Sequence, residues 1–142
     1  MGAKDVSHVQ KLVLSALLGS EPRPELRALL GNPEIMTAVS GPITYLLSEN
    51  LGDSVADAFK QTSLRIVDHS ELMKTALETG DTPYLYFGPA EDHGDRIRLS
   101  VNAGMARSVH SGAIMPLGGA VLEFQRSDGG WTVSSPPSQF AT

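Results

Sequence analysis

Arg96-Ile97-Arg98-Leu99-Ser100-Val101-Asn102-Ala103 decides the fold. Ile97, Leu99, Val101 and Ala103 alternate with Arg96, Arg98, Ser100 and Asn102, the period-2 pattern of a strand with one buried and one wet face. Downstream, Ala120, Leu122 and Phe124 alternate with Val121, Glu123 and Gln125. Ser127-Asp128-Gly129-Gly130 then turns the chain into Trp131-Thr132-Val133, which predicts a hairpin. Upstream, Tyr84 and Tyr86 share one side of a strand and Leu85 and Phe87 the other, so neither side needs to be fully solvated, and Gly88-Pro89 closes it. Residues 83–135 thus read as a β-meander onto which the earlier chain must pack.

The segments that would cover it are helical. Val9, Leu12, Val13, Ala16 and Leu17 recur at i, i+3, i+4, i+7 and i+8, one apolar stripe that Gly19 can terminate. Glu21-Pro22-Arg23-Pro24 makes a sharp connection, and Leu26, Leu29 and Leu30 predict a short helix ended by Gly31. Asn32-Pro33-Glu34 is a helix start: a capping oxygen, a proline where no amide donor is missed, and a carboxylate at the positive end. The stripe Ile35, Met36, Val39, Ile43, Leu46 and Leu47 keeps helical phase across Gly41-Pro42, which favours one kinked helix. Asp53 or Ser54 can cap a further helix bearing Val55 and Phe59. Leu64 and Ile66 then predict a short strand, and Asp68 with Glu71 forms a capping box for a helix through Leu72, Met73, Ala76 and Leu77 to Gly80.

Composition narrows the classes. At 142 residues the chain fits one domain able to bury roughly two-thirds of its unfolded surface. We expect residues 1–62 to be mainly helical, 63–135 to form strand, helix and meander, and 136–142 to be a tail. A net charge of -5 disfavours a phosphate-backbone binder, so no nucleic-acid partner is expected. The absence of cysteine rules out disulfides, thiolate metal sites and cysteine nucleophiles, and fits a cytoplasmic protein. Leu12 to Leu18 faintly resembles a leader's apolar run, but Ser15 interrupts it and Asp5 sits where basic residues belong. No stretch approaches the roughly 20 apolar residues of a membrane span. Gly118-Gly119 precedes a strand, whereas a phosphate-cradling loop leads into a helix, so no cofactor is implied.

Helices segregated from an antiparallel sheet define an α+β fold. The short strand, the helix and the meander ending in Asp128-Gly129-Gly130-Trp131-Thr132-Val133 resemble the NTF2-like (SnoaL or ketosteroid-isomerase-like) superfamily, over roughly residues 55–135. The resemblance implies a cone: N-terminal helices packed on a curved antiparallel sheet around a mostly apolar cavity. It also implies activities ranging from isomerase, cyclase and hydrolase to non-catalytic ligand binding or dimerisation. The carboxylate base and acidic donor of such isomerases do not carry over, because the alternating faces offer only Ile97, Leu99, Val101, Leu122 and Phe124 as walls.

Polar chemistry must then come from strand and helix ends. Asp68-His69 with Glu71 lies at a strand-to-helix junction, where a histidine beside carboxylates can serve as a general base. Helix capping accounts for the same residues and leaves His69 solvated. Asp92, His93 and Asp95 in Glu91-Asp92-His93-Gly94-Asp95 are metal-ligand types, yet they lack both the glycine-spaced oxygens of a calcium loop and a helical histidine pair. A solvated hairpin turn is the simpler expectation, and no metal is assigned. His110, between Ser108 and Ser111, has no nucleophile-elbow pattern, and residues 112–119 read as a turn-rich loop over the sheet end or against a second subunit.

Two functions stay open on the sequence. One is an apolar pocket for a small hydrophobic ligand, bounded by Tyr45, Tyr84, Tyr86, Leu99, Val101, Leu122 and Phe124, with Asp68, His69 and His110 as candidates for acid–base work. The other is a non-catalytic protein-pairing module. Both imply a homodimer, and neither implies a membrane partner.

Overall fold

The computed structural model describes residues 2–18, 32–52, 55–107, 114–128, 130–134 and 138–141. Four helices, α1 (Gly2–Leu17), α2 (Pro33–Val39), α3 (Val55–Ala58) and α4 (His69–Thr79), pack on a curved, unclosed sheet. Its eight strands are β1 (Thr44–Leu47), β2 (Leu64–Val67), β3 (Thr82–Phe87), β4 (Glu91–Asp92), β5 (Arg96–Ala106), β6 (Ile114–Ser127), β7 (Gly130–Val133) and β8 (Ser138–Ala141). The fold is α+β, as the alternating stretch at 96–103 predicts.

The main path of the sheet runs β2-β1-β3-β5-β6-β7, with β4 extending the β3 side of β5 and β8 pairing with β6. From β3 onward neighbours are antiparallel, with Leu85 opposite Ala103 and Leu99 opposite Leu122. At the other side β1 is parallel to both β2 and β3. That parallel part corrects the sequence expectation of a kinked helix through Gly41-Pro42. Proline disfavours a helical conformation in the residue before it, and Thr44-Tyr45-Leu46-Leu47 suits a strand buried on both faces. The 3.6 phase of Ile43, Leu46 and Leu47 was a coincidence of spacing. Two further segments differ. Residues 114–117, expected as loop, begin β6, and residues 138–141, expected as tail, form β8. Gly19, the helix at Leu26 to Leu30, the Asp53 or Ser54 cap and His110 lie outside the described residues.

Period 2 sorts the sheet into two faces. Leu46, Leu85, Phe87, Ile97, Leu99, Val101, Leu122 and Phe124 point to one face, where α1 contributes Val9, Leu12, Val13, Leu14 and Leu17 and α2 contributes Ile35 and Ala38. Tyr45, Leu47, Val67, Tyr84, Tyr86 and Ala106 point to the other, beneath Leu72 and Ala76 of α4. The α1 face is the larger core, with most of its side chains fully buried, each contributing roughly 1.5 to 3 kcal/mol.

The caps behave as the sequence requires. Asn32 Oδ1 accepts from the amides of Glu34 and Ile35 at 3.1 Å each, with Pro33 in the first turn. Asp68 Oδ1 accepts from Glu71 N at 2.8 Å while Glu71 Oε1 accepts from Asp68 N at 3.4 Å, and Gly80, at φ 104°, closes α4. None of the described helices is long and apolar enough to cross a membrane.

Candidate functional site

Beyond the buried core, three groups of residues bear on function, two of them on the α4 face of the sheet. Leu99, Val101, Leu122 and Phe124, expected as pocket walls, are at most 1% exposed and pack against α1. These four residues share one buried core with the apolar side chains of α1 and line neither cavity described below. A 16-residue helix supplies more apolar surface than one stripe implies, because Leu14 is buried as well.

Tyr84, Tyr86 and His69 come together on the α4 face. The chain leaves β1 for β2 through α3 on the α1 face, then reaches β3 through α4 on the opposite face. The strand order therefore reverses beside β1, and the carboxyl ends of β1 and β3 form the crevice where open α/β sheets place ligands. Glu49 follows β1 at this crevice, His69 starts α4, and His69 Nε2 lies 2.6 Å from Glu49 Oε1. A carboxylate only accepts, so Nε2 is the donor of this pair. Both side chains are about half exposed.

Glu49 is held by a latched loop. Asn50, at φ 57°, adopts a left-handed conformation that asparagine tolerates, and its Nδ2 donates to Phe87 O at 3.0 Å. The fully buried Gln10 of α1 donates to Asn50 O and accepts from Gly52 N, both at 2.8 Å. Nothing in the local sequence around Glu49 predicts its role; only the chain reversal brings it to His69, 20 residues away. Asp68 is committed to the α4 cap, as the simpler sequence interpretation holds.

Beside this pair, Tyr84 and Tyr86 stack with ring centroids 5.8 Å apart and planes at 29°. Tyr84 is 2% exposed and lies across Gly104 of β5, where any Cβ would overlap its phenol ring. Burial pushes the Tyr84 hydroxyl up to about 12, helped by Tyr86 and then Glu49. Burial and Glu49 push the Tyr86 hydroxyl up as well. The crevice therefore offers a carboxylate-oriented imidazole and two neutral phenols.

Tyr45, the register partner of Tyr84 on β1, also borders a second place. It lines a cavity of about 400 Å³ at the opposite, amino ends of β1 and β3, between the end of α2 and the end of α4. Ala38, Pro42, Ile43 and Pro83 form apolar walls, and Asp81, paired with Arg107 Nη1 at 3.3 Å, supplies a charge.

The third group is the 91–95 turn. Asp92 Oδ1 accepts from Gly94 N at 2.9 Å and His93 N donates to Arg96 O at 2.8 Å, a hairpin turn closed on itself. Glu91, His93 and Asp95 border a cleft of about 320 Å³, together with Arg96, Arg98 and Glu123. The ion pairs there, Arg98 to Glu91 at 3.8 Å and Arg96 to Glu123 at 4.0 Å, are loose and solvated. Comparison with protein-family models, with curated proteins and with solved structures returns no match.

Proposed function

We propose that this protein is a small-molecule-binding domain whose guest, an apolar compound of about the size of one or two rings, sits in the cavity at the amino ends of β1 and β3. The observation that carries this is the cavity's build: about 400 Å³, walled by Ala38, Pro42, Ile43 and Pro83 beside Tyr45. Its volume falls in the roughly 300 to 1,000 Å³ of ligand pockets, and a sparse polar complement on apolar walls suits orientation of a hydrophobic guest. Tyr45 brings a flat ring to the wall and Asp81 a hydrogen-bond acceptor. The NTF2-like relationship belongs to this proposal, with the guest moved from the centre of the cone to its rim.

A thermal-shift screen with one- and two-ring apolar carbonyl compounds tests it, since only a ligand that favours the folded state raises the melting temperature. A hit whose shift disappears in Tyr45→Ala supports the proposal. A screen without hits, or hits indifferent to Tyr45→Ala, refutes it. A second reading, a homodimer, is favoured by β2, which ends the strand order with one side unpaired. Light scattering at micromolar concentration decides it: a monomer mass refutes the dimer.

A further inference from the structure

We propose a second binding site, at the carboxyl-end crevice between β1 and β3, that takes an organic cation: a protonated amine on a compact apolar or aromatic body. The geometry has three parts. Glu49 Oε1 is engaged by His69 Nε2 at 2.6 Å, while Oε2 has no protein donor among the described residues. The carboxylate is about half exposed, so an incoming N–H donor can reach it. Beside it stands the Tyr84–Tyr86 stack, with Tyr84 inside and Tyr86 partly open to solvent.

A carboxylate next to an aromatic face recognises an ammonium twice, by ionic hydrogen bonding and through the negative face of the ring. Burial first, and Glu49 after it, keep the phenols neutral, so they add no competing charge, and the Glu49 carboxylate repels an anionic guest. Glu49 is fixed from behind by Asn50 and Gln10, and Tyr84 by Gly104. Both recognition elements are therefore in place before a ligand arrives, which limits the ordering cost of binding. The switch-point position, reached by a chain reversal, is where open α/β sheets bind ligands.

Three probes of one shape and different charge test this: 2-phenylethylamine, 2-phenylethanol and 3-phenylpropionate, titrated into the full chain while amide resonances of residues 48–50, 69–70 and 84–88 are followed by NMR. The amine is expected to move these resonances and to bind at least about tenfold more tightly than the alcohol, a ratio worth about 1.4 kcal/mol, with the propionate inert. Glu49→Gln should weaken the amine about tenfold without changing the melting temperature, Tyr86→Leu should weaken it similarly, and Tyr86→Phe should restore binding because the ring face is kept. Equal binding of all three probes, no movement of these resonances with the amine, or a Glu49→Gln affinity within about twofold of the parent overturns the proposal.

Discussion

Tyr84 and Leu85 are neighbours on β3, yet they lie in different environments. Leu85 joins the core beneath α1, where facing side chains are almost all aliphatic or phenyl and close against one another. Tyr84 lies beneath α4, an 11-residue helix that packs on β1, β2, β3 and β5, and all three tyrosines of the chain share that face. The difference follows from how much helix each face receives. A long stripe from α1, joined by α2 and α3, fills one side, and the amides buried with it, Gln10 and Asn32, are spent on backbone partners. The shorter α4 leaves its side partly uncovered, so tyrosines, Asn102 and Ser100 line the sheet there. On the proposed reading, one face serves stability and the other recognition.

The largest expected effect breaks the α1 face. Leu122→Ala, at a position 1% exposed between Leu99 and α1, should cost about 2 to 5 kcal/mol by urea denaturation, because a close-packed wall cannot collapse into the gap. Val121→Ala, next in sequence but on the half-covered face, should cost less than about 1 kcal/mol. Equal losses would mean that the faces do not differ in packing.

The α4 face should instead reveal itself at alkaline pH. Tyr84 has a folded pKa of about 12 against the usual 10.0, so the folded chain keeps a proton that the unfolded chain releases in this interval. Its contribution is complete below pH 10 and is lost as pH rises towards 12, by up to about 3 kcal/mol. Tyr86 shifts in the same direction. Chemical denaturation between pH 9 and 11.5 should show a decline that is shallower in Tyr84→Phe; parallel curves would place the Tyr84 hydroxyl in water.

Much of this division is legible in the sequence, but not all. Strict alternation at 96–103 and 120–125 assigns each residue to a face, because period 2 survives any packing. Capping at Asn32 and Asp68 is equally local, as the donors and acceptors lie within three residues of each other. What fails is non-local. Whether Val101 and Phe124 border a void depends on α1, about 90 residues away or more in sequence, and β1 was hidden because its apolar spacing suits a helix as well as a doubly buried strand. Glu49 was missed for the same reason: a lone acidic residue acquires meaning only when the parallel crossover brings His69 to it.

A smaller test concerns a flaw on the α1 face. Thr44, 1% exposed beside Leu46, buries an Oγ1 with no hydrogen-bond partner among the described residues. A buried hydroxyl left unpaired costs about 1 to 3 kcal/mol, and valine has the same shape and a higher strand preference. Thr44→Val should therefore stabilise the protein by about 1 kcal/mol, measured as a higher urea midpoint at constant slope. A loss would reveal a partner for the hydroxyl.

The smallest effect returns to the crevice. His69 and Glu49 are 2.6 Å apart but 53% and 54% exposed, so solvent screens their attraction and the pair stabilises the fold by less than about 1 kcal/mol. His69→Ala should therefore leave the denaturation midpoint nearly unchanged. Because His69 occupies Oε1 of the same carboxylate, its removal frees an acceptor oxygen. Cation binding at Glu49 should consequently strengthen in His69→Ala, even as stability stays level. If stability falls steeply instead, the imidazole holds α4 to the β1 loop, and the crevice serves the fold as the α1 face does; if stability holds and the amine binds more tightly, the two faces keep separate duties.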